Sequence, residues 1–323
     1  MSRPVVFFNC ARNFSDTESI ARDMPRLVER CEVRLTDAQD GPALAADLAS
    51  ADVLIARRDY VGRASLAGTT RLRGVVTGGV GVEKVDVLAA TELGIPVANS
   101  PGNTVTAAES ALLLMLALAK QLPVWVQAAR DGIEPTRAMG GLELLGKTVG
   151  IVGYGRIGRR TAELCRAFGM NVLAYDPYVS GPELTSLEDV LRLSDFVTLH
   201  PVLTPETFHL LNAERLALMK PTAFLINTSR GGVIDEPALI AALQAGRLAG
   251  AGLDVFEKEP PERDNPLLSM ANVIGTPHGL SHADASMRRC AEMTEQNVLA
   301  LLDGQLPPYL VNKAVRWRIL QPA

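Results

Sequence analysis

An apolar run, Thr148-Val-Gly-Ile-Val152, leads straight into Gly153-Tyr-Gly155-Arg-Ile-Gly158 and then into a segment of helical character, GRRTAELCRAF. Few folds accept that order. Gly153 allows a tight turn, Gly155 lets a pyrophosphate approach the backbone, and Gly158 lets the helix pack closely on the strand. The amides at the helix N-terminus then face the phosphate charge. Three spaced glycines alone are a weak signal and also suit a plain structural turn; here the strand before and the helix after supply the context.

The next strand, VLAYD, ends in Asp176, eighteen residues beyond Gly158. A carboxylate there accepts hydroxyls of an adenosine ribose and repels a 2'-phosphate, so the expected cofactor is NAD. The alternative for Asp176 is a turn former before Pro177.

This unit is the second of two α/β series. The first hundred residues alternate PVVFFN, CEVRLTD, ADVLIAR, LRGVVTGG and IPVANSP with helical patterns. From Lys147 onward KTVGIVGYG, NVLAYDP, FVTLHP, AFLINTS, GAGLDVF and NVIGTPH do the same. Such alternation predicts parallel sheets with helices on both faces. With 323 residues the chain is longer than one core usually serves. The expected organisation is two doubly wound α/β domains: residues 1–99 and 289–323 as a discontinuous, flavodoxin-like substrate domain, and 100–288 as a Rossmann domain inserted in it. Thr106-Ala-Ala-Glu109 reads as a capping box opening a helix that runs to Leu122 and stops at Pro123. The tail LPPYLVNKAVRWR is expected to cross back and complete the first domain.

Lys plus Arg number 32 and Asp plus Glu 36, a formal charge of -4, which argues against a nucleic-acid partner. Cys10, Cys31, Cys165 and Cys290 are scattered, without the paired spacing of a zinc or redox centre. They read as thiols in a reducing compartment, and no metal is expected. The N-terminus lacks the apolar core of a signal peptide, so the expected location is the cytoplasm. The most apolar run, Ala111 to Ala119, is about half of the ~20 residues needed to cross a bilayer, and no membrane association is expected.

In open α/β sheets ligands lie beyond the carboxyl ends of the strands. In the second series those ends carry His200, Ser229 with Arg230, Asp254 with Glu259 five residues on, and His278. Arg230 stands between a serine and two glycines, where a planar guanidinium fork suits a carboxylate; otherwise it is a surface ion-pair partner. His278 can exchange a proton near neutral pH, and Glu259 can hold its imidazole; otherwise Glu259 is a solvated loop acid. His200 and His209 read as structural. His282 is the weaker candidate for a base, since Ser281-x-x-Asp284 reads as a helix cap that puts it in the first helical turn. In the first series Thr77-Gly78-Gly79-Val80-Gly81 is either a tight turn or a set of amides for a carboxylate.

GIVGYGRIGRR, HPVLTPET, INTSRGGVIDEPALIAAL, AGLDVFEKEPP and TPHG, with GVGVEKVDV and NSPGNTVTAAE earlier, resemble the D-isomer-specific 2-hydroxyacid dehydrogenases, closest in style to the D-3-phosphoglycerate dehydrogenase branch. The likeness covers nearly the whole chain. It implies hydride transfer between NAD(H) and C2 of a small anionic D-2-hydroxy or 2-oxo acid, such as 3-phosphoglycerate, hydroxypyruvate or glyoxylate. Arg230 falls where the family binds substrate, with Glu259 and His278 as its acid–base pair. Gly78, Gly79 and Val80 fall at the substrate, and Gly153, Gly155, Arg156, Ile157, Gly158, Asp176, Thr204, Thr228 and Asp254 at the cofactor. The resemblance also implies a homodimer built through the cofactor domain, which the apolar helix Ala111 to Ala119 permits.

Three departures surround the substrate. Thr77 stands where the phosphoglycerate enzymes commonly carry arginine, which weakens the case for a phosphorylated substrate, with Arg57 and Arg58 as possible replacements. NSPGNTV is one residue shorter than the family's usual segment, and PHGLSH has Leu280 and Ser281 where small residues are usual. With the chain ending at Ala323, no appended regulatory domain is expected. An NAD-sensing binding protein or corepressor on the same fold is the alternative function. Formate oxidation is disfavoured because formate enzymes carry glutamine where Glu259 stands.

Overall fold

A computed structural model of the protein describes residues 3–9, 16–57, 59–136 and 139–318. The chain divides into two compact units, Met1–Asn103 with Ala283–Ala323, and Thr104–His282. The return to the first unit falls at Ala283, ahead of the expected residue 289. The reason is a close backbone contact: a methyl group on Gly102 would lie 2.4 Å from the amide nitrogen of Cys290. Arg289 Nε also donates to Gly102 O at 2.9 Å, which ties the start of the returning helix to this unit.

The first unit runs β1 (Val5–Asn9), α1 (Thr17–Asp23), α2 (Pro25–Arg30), β2 (Glu32–Thr36), α3 (Pro42–Leu48), β3 (Val53–Ala56), α4 (Arg63–Leu66), β4 (Gly74–Thr77), α5 (Val87–Glu92) and β5 (Val97–Ala98). All strands pair in parallel in the order β2-β1-β3-β4-β5. That is the flavodoxin-like order. Val5 and Phe7 point to the face covered by Leu44, Leu48, Leu66 and Ala90. Val6 and Phe8 point to the other, against Ile20, Leu27, Val298 and Leu301. Two covered faces explain why PVVFFN is a continuous apolar run without alternation. The returning helix, Asp284–Leu302, is α12 in chain order. The tail then lays Leu310 antiparallel to Ala98 and buries Trp317, so β5 does not present an open edge.

The second unit contains α6 (Thr104–Ala119), α7 (Leu122–Arg130), β6 (Thr148–Val152), α8 (Arg156–Ala167), β7 (Asn171–Tyr175), α9 (Leu187–Leu193), β8 (Phe196–Leu199), α10 (Ala213–Leu216), β9 (Phe224–Asn227), α11 (Glu236–Gln244), β10 (Gly250–Leu253) and β11 (Val273–Gly275). Its parallel sheet has the order β11-β10-β9-β8-β6-β7. The direction of winding reverses between β6 and β8, the place where such sheets take their ligand. One face packs on α6 and α8 through Leu114, Met115, Ala162 and Cys165. The other packs on α9, α10 and α11 through Leu187, Val190, Leu216, Leu239 and Leu243.

Two expectations for the first long helix need correction. Thr106 lies inside α6, which begins at Thr104, and does not cap it. The helix ends at Ala119, short of Leu122, because the carbonyl of Ala119 accepts a bond from Leu142 N at 2.7 Å instead of continuing the helical ladder. Gln121 then takes a left-handed φ of 53°, and Pro123 sits in the first turn of α7. Proline there opens a helix, because the first amides of a helix have no intrahelical acceptor. Among the described residues no single helix is long and apolar enough to cross a membrane. Cys31, Cys165 and Cys290 are free thiols; Cys10 and Arg58 lie outside the described residues.

Candidate active site

The glycine turn follows β6 as the motif requires. Gly153 has φ 90°, and a methyl group on it would press within 2.7 Å of the His200 and Pro201 backbone. One on Gly158 would lie 2.1 Å from Gly153 O, so the helix packs too closely on the turn for any side chain. A methyl group on Gly155, by contrast, would meet nothing within 4 Å. Gly155 is also the N-cap of α8, without a side-chain cap bond, so the amides of Arg156 and Ile157 open a helix whose positive end faces that space. Asp176, just past β7, accepts the Tyr154 amide on Oδ2 at 2.8 Å.

Thr228 follows β9, and its hydroxyl oxygen is buried with no hydrogen-bond partner among the described residues. An orphaned buried hydroxyl is costly unless a ligand completes it. The open space before Gly155, the uncapped helix and this hydroxyl fit a dinucleotide running along the strand ends. Thr204, in the loop after β8, shares its hydroxyl with Thr207 at 3.3 Å and donates its amide to the Thr207 hydroxyl at 2.8 Å, so its local role is to close a turn.

The turn after β9 is built by a residue that sequence reasoning missed. Asn227, fully buried, accepts the Ser229 amide at 3.0 Å and donates to Arg230 O at 2.9 Å. An Asn two positions before a serine is the signal for such a side-chain-closed turn. Arg230 itself has extended backbone, and its Nη1 donates to Ser229 O at 2.6 Å. Gly231 is then obligatory, since a methyl group would come within 1.9 Å of the Phe256 carbonyl.

Glu259 and His278 meet as expected from their chemistry: His278 Nδ1 lies 2.8 Å from Glu259 Oε2. A carboxylate partner makes Nδ1 the donor and leaves Nε2 to exchange a proton. Burial of Glu259 works to raise its carboxyl, but the bond and charge of His278, the Phe256 amide and the charge of Arg230 together hold it below its ordinary value. Arg230 is thus electrostatically part of the same group. His278 has a left-handed φ of 54°, unusual for a residue with a Cβ and a mark of a constrained functional position.

Asp254 holds that conformation. It is 3% exposed, its carbonyl accepts the His278 amide at 2.7 Å, and its Oδ1 accepts the Thr276 hydroxyl at 2.6 Å and the Gly279 amide at 3.0 Å. Expected only at the cofactor, it also fixes the segment that carries His278. His282 is exposed and lies ahead of α12, whose N-cap is Ala283. The expected Ser281-x-x-Asp284 cap is therefore displaced: Asp284 is already helical, and Ser286 Oγ accepts the Ala283 amide at 3.3 Å.

The other histidines are structural, in unanticipated ways. Thr198 Oγ1 lies 3.1 Å from His200 Nε2, and desolvation pushes His200 down to about 4, so it stays neutral near physiological pH. His209 pairs with Glu257 at 2.5 Å and stacks on Phe208, tying the loop after β8 to the one that bears Glu259.

In the first unit, Gly78, Gly79 and Val80 follow β4. The carbonyls of Gly79 and Val80 turn inward, onto Ser100 N at 2.8 Å and Asn99 Nδ2 at 2.8 Å. In a trans peptide the N–H opposes the C=O, so the Val80 amide turns the other way. The Arg57 guanidinium lies beside Gly78, where a methyl group would meet Nε at 3.1 Å.

The family model described as D-isomer specific 2-hydroxyacid dehydrogenase, NAD binding domain, matches residues 112–279. The chain is 38% identical over 307 residues to D-3-phosphoglycerate dehydrogenase of Methanocaldococcus jannaschii, covering 92% of this chain and 58% of that protein. It is 43% identical over 257 residues to glyoxylate reductase of Korarchaeum cryptofilum, covering 76% and 77%. The chain therefore spans little more than half the length of the phosphoglycerate dehydrogenase. Among solved structures, D-lactate dehydrogenase from Aquifex aeolicus complexed with NAD and lactic acid superposes with a TM-score of 0.84 at 30% identity, over 95% of this chain and 99% of that one.

Proposed function

The chain belongs to the D-isomer specific 2-hydroxyacid dehydrogenase family, and we propose that it interconverts a small D-2-hydroxy acid and its 2-oxo acid with NAD. When bound, NAD accepts or supplies the hydride at C2. The observation that carries this reading is the His278–Glu259 pair at 2.8 Å, with the charge of Arg230 acting on the same carboxylate.

The proposed roles follow from donor chemistry. Arg230 offers its fork to the substrate carboxylate and keto oxygen. His278 Nε2 gives a proton to the C2 oxygen in reduction and takes it in oxidation, while Glu259 steadies the imidazolium. In the first unit, Gly78, Gly79 and Val80 are the proposed contacts for the substrate carboxylate, with the Val80 amide turned outward. Gly153, Gly155, Arg156, Ile157 and Gly158 would hold the pyrophosphate, Asp176 the ribose, and Thr204, Thr228 and Asp254 the remainder of the dinucleotide.

The test is loss of NADH or NADPH absorbance with phosphohydroxypyruvate, hydroxypyruvate, glyoxylate and branched 2-oxo acids. Turnover of at least one acid is expected, with kcat/KM clearly higher for NADH because Asp176 repels a 2'-phosphate. If no acid is turned over, only a binding role is left; equal kcat/KM for the two nucleotides would contradict the role of Asp176.

We also propose a homodimer built through the cofactor domain, with α7 added to the face offered by Ala111 to Ala119. Ala111 to Ala119 mostly faces the core of its own unit, with Ala111 and Met115 fully buried. Outward apolar side chains here are Leu113 on α6, at 49% exposure, and Leu122, Val124 and Val126 on α7, at 49%, 38% and 40%. Sedimentation should give a dimer at micromolar concentration; a monomer there would refute this.

A further inference from the structure

We propose that Tyr154, Glu183 and Arg166 form a clip that immobilises the carboxylate of Asp176, and that this clip, beyond Asp176 itself, sets the preference for a dinucleotide without a 2'-phosphate. The inference rests on the NAD reading above and extends it to residues that do not themselves touch the nucleotide.

Asp176 stands just past the edge strand β7, where a short acidic side chain would ordinarily be free to rotate. Here each oxygen is engaged. Oδ2 accepts the Tyr154 amide from the glycine turn at 2.8 Å, and Oδ1 accepts the Tyr178 amide from the following segment at 2.9 Å. That segment doubles back along β7: Ala174 N donates to Glu183 O, and Thr185 N donates to Ala174 O, both at 2.9 Å. The carboxylate thus hangs between two pieces of chain, the glycine turn and the returning segment.

The Tyr154 side chain joins those two pieces. It is 3% exposed, and its phenol donates to Glu183 Oε1 at 2.5 Å. Arg166, on α8, brings Nη2 to 3.3 Å from the same oxygen and 3.5 Å from the phenol. Arg159 lies 4.7 Å over the ring centroid, on the outer side. One residue therefore supplies Asp176 with an amide and, through its phenol, anchors the segment that supplies the other.

Repulsion falls as charges separate, so a carboxylate able to swing aside relieves its clash with a 2'-phosphate. A clipped one cannot. The clip should matter little for NAD, whose ribose hydroxyls bind the carboxylate where it stands, and much for rejection of NADP. Tyr154, Glu183 and Arg166 are accordingly positioning residues.

The experiment is titration of the full chain with NADH and with NADPH, following nicotinamide fluorescence, for the parent, Tyr154→Phe, Glu183→Gln and the double variant. Each single variant should lower the ratio of the NADPH Kd to the NADH Kd by about tenfold, as expected for loss of one charge-assisted bond. The double variant should fall no further, because both changes cut one contact. Glu183 lies partly exposed outside the core, so its conservative replacement keeps the test open should Tyr154→Phe fold poorly. A ratio unchanged in both single variants, or single effects that multiply in the double, would overturn the clip. A parent that binds neither nucleotide would instead sink the cofactor reading itself.

Discussion

Arg230→Ala should lower kcat/KM by about two to four decades while affinity for NADH stays within a few-fold of the parent. Two charge-assisted bonds worth roughly 1.5 to 3 kcal/mol each account for a loss of that size. The turn beneath Arg230 is closed by Asn227 through backbone groups that the substitution retains. Arg230→Lys should recover little, because a point charge lacks the planar fork. Steady-state kinetics with the best 2-oxo acid, paired with NADH titration, is the check. Near-normal turnover in the lysine variant would reduce Arg230 to background charge.

The second large effect is expected at His278. His278→Asn should lower kcat by about 10² to 10⁴, the usual worth of a positioned acid or base, whereas His282→Asn should remain within a few-fold of the parent. His282 lies ahead of α12 and outside the bond to Glu259, which among the described residues is made by His278. Glu259 is held below its ordinary carboxyl range, so it stays ionised through neutral pH and its charge favours the imidazolium. Oxidation requires the neutral imidazole as base. Glu259→Gln should therefore shift the acidic limb of the oxidation profile to lower pH. A profile that moves upward, or a His282 variant that is dead while the His278 variant turns over, would show that another group carries the proton.

Much of this was legible because the signals were local or periodic. A strand buried on two faces must be apolar throughout, and a glycine turn between strand and helix has few other uses, so PVVFFN and GYGRIG announce themselves. The limits are equally physical. The end of α6 is decided by Leu142, which takes the Ala119 carbonyl from a distance, and nothing near Ala119 in sequence marks it. The pairing of His209 with Glu257 spans 48 residues, and that of Tyr154 with Glu183 spans 29. Contacts of this kind depend on where strands are placed, which periodicity does not encode. Asp254 was legible as a strand-end acid, yet its hold on the His278 backbone needed the left-handed turn to be seen.

The sheet order β11-β10-β9-β8-β6-β7 has a bearing on how such a chain can change over time. The glycine turn and Asp176 follow β6 and β7, at one end of the row; Arg230, Glu259 and His278 follow β9, β10 and β11, at the other. On the proposed roles, grip on the pyrophosphate and its ribose and exchange of the proton fall to separate halves of one edge. Mutations that exchange one dinucleotide for another can accumulate beside β7 without disturbing the imidazole. Those that tune the reacting acid can accumulate beyond β9 without loosening the pyrophosphate. A lineage built on this arrangement can therefore diversify its two specificities one at a time, passing through intermediates that still turn over.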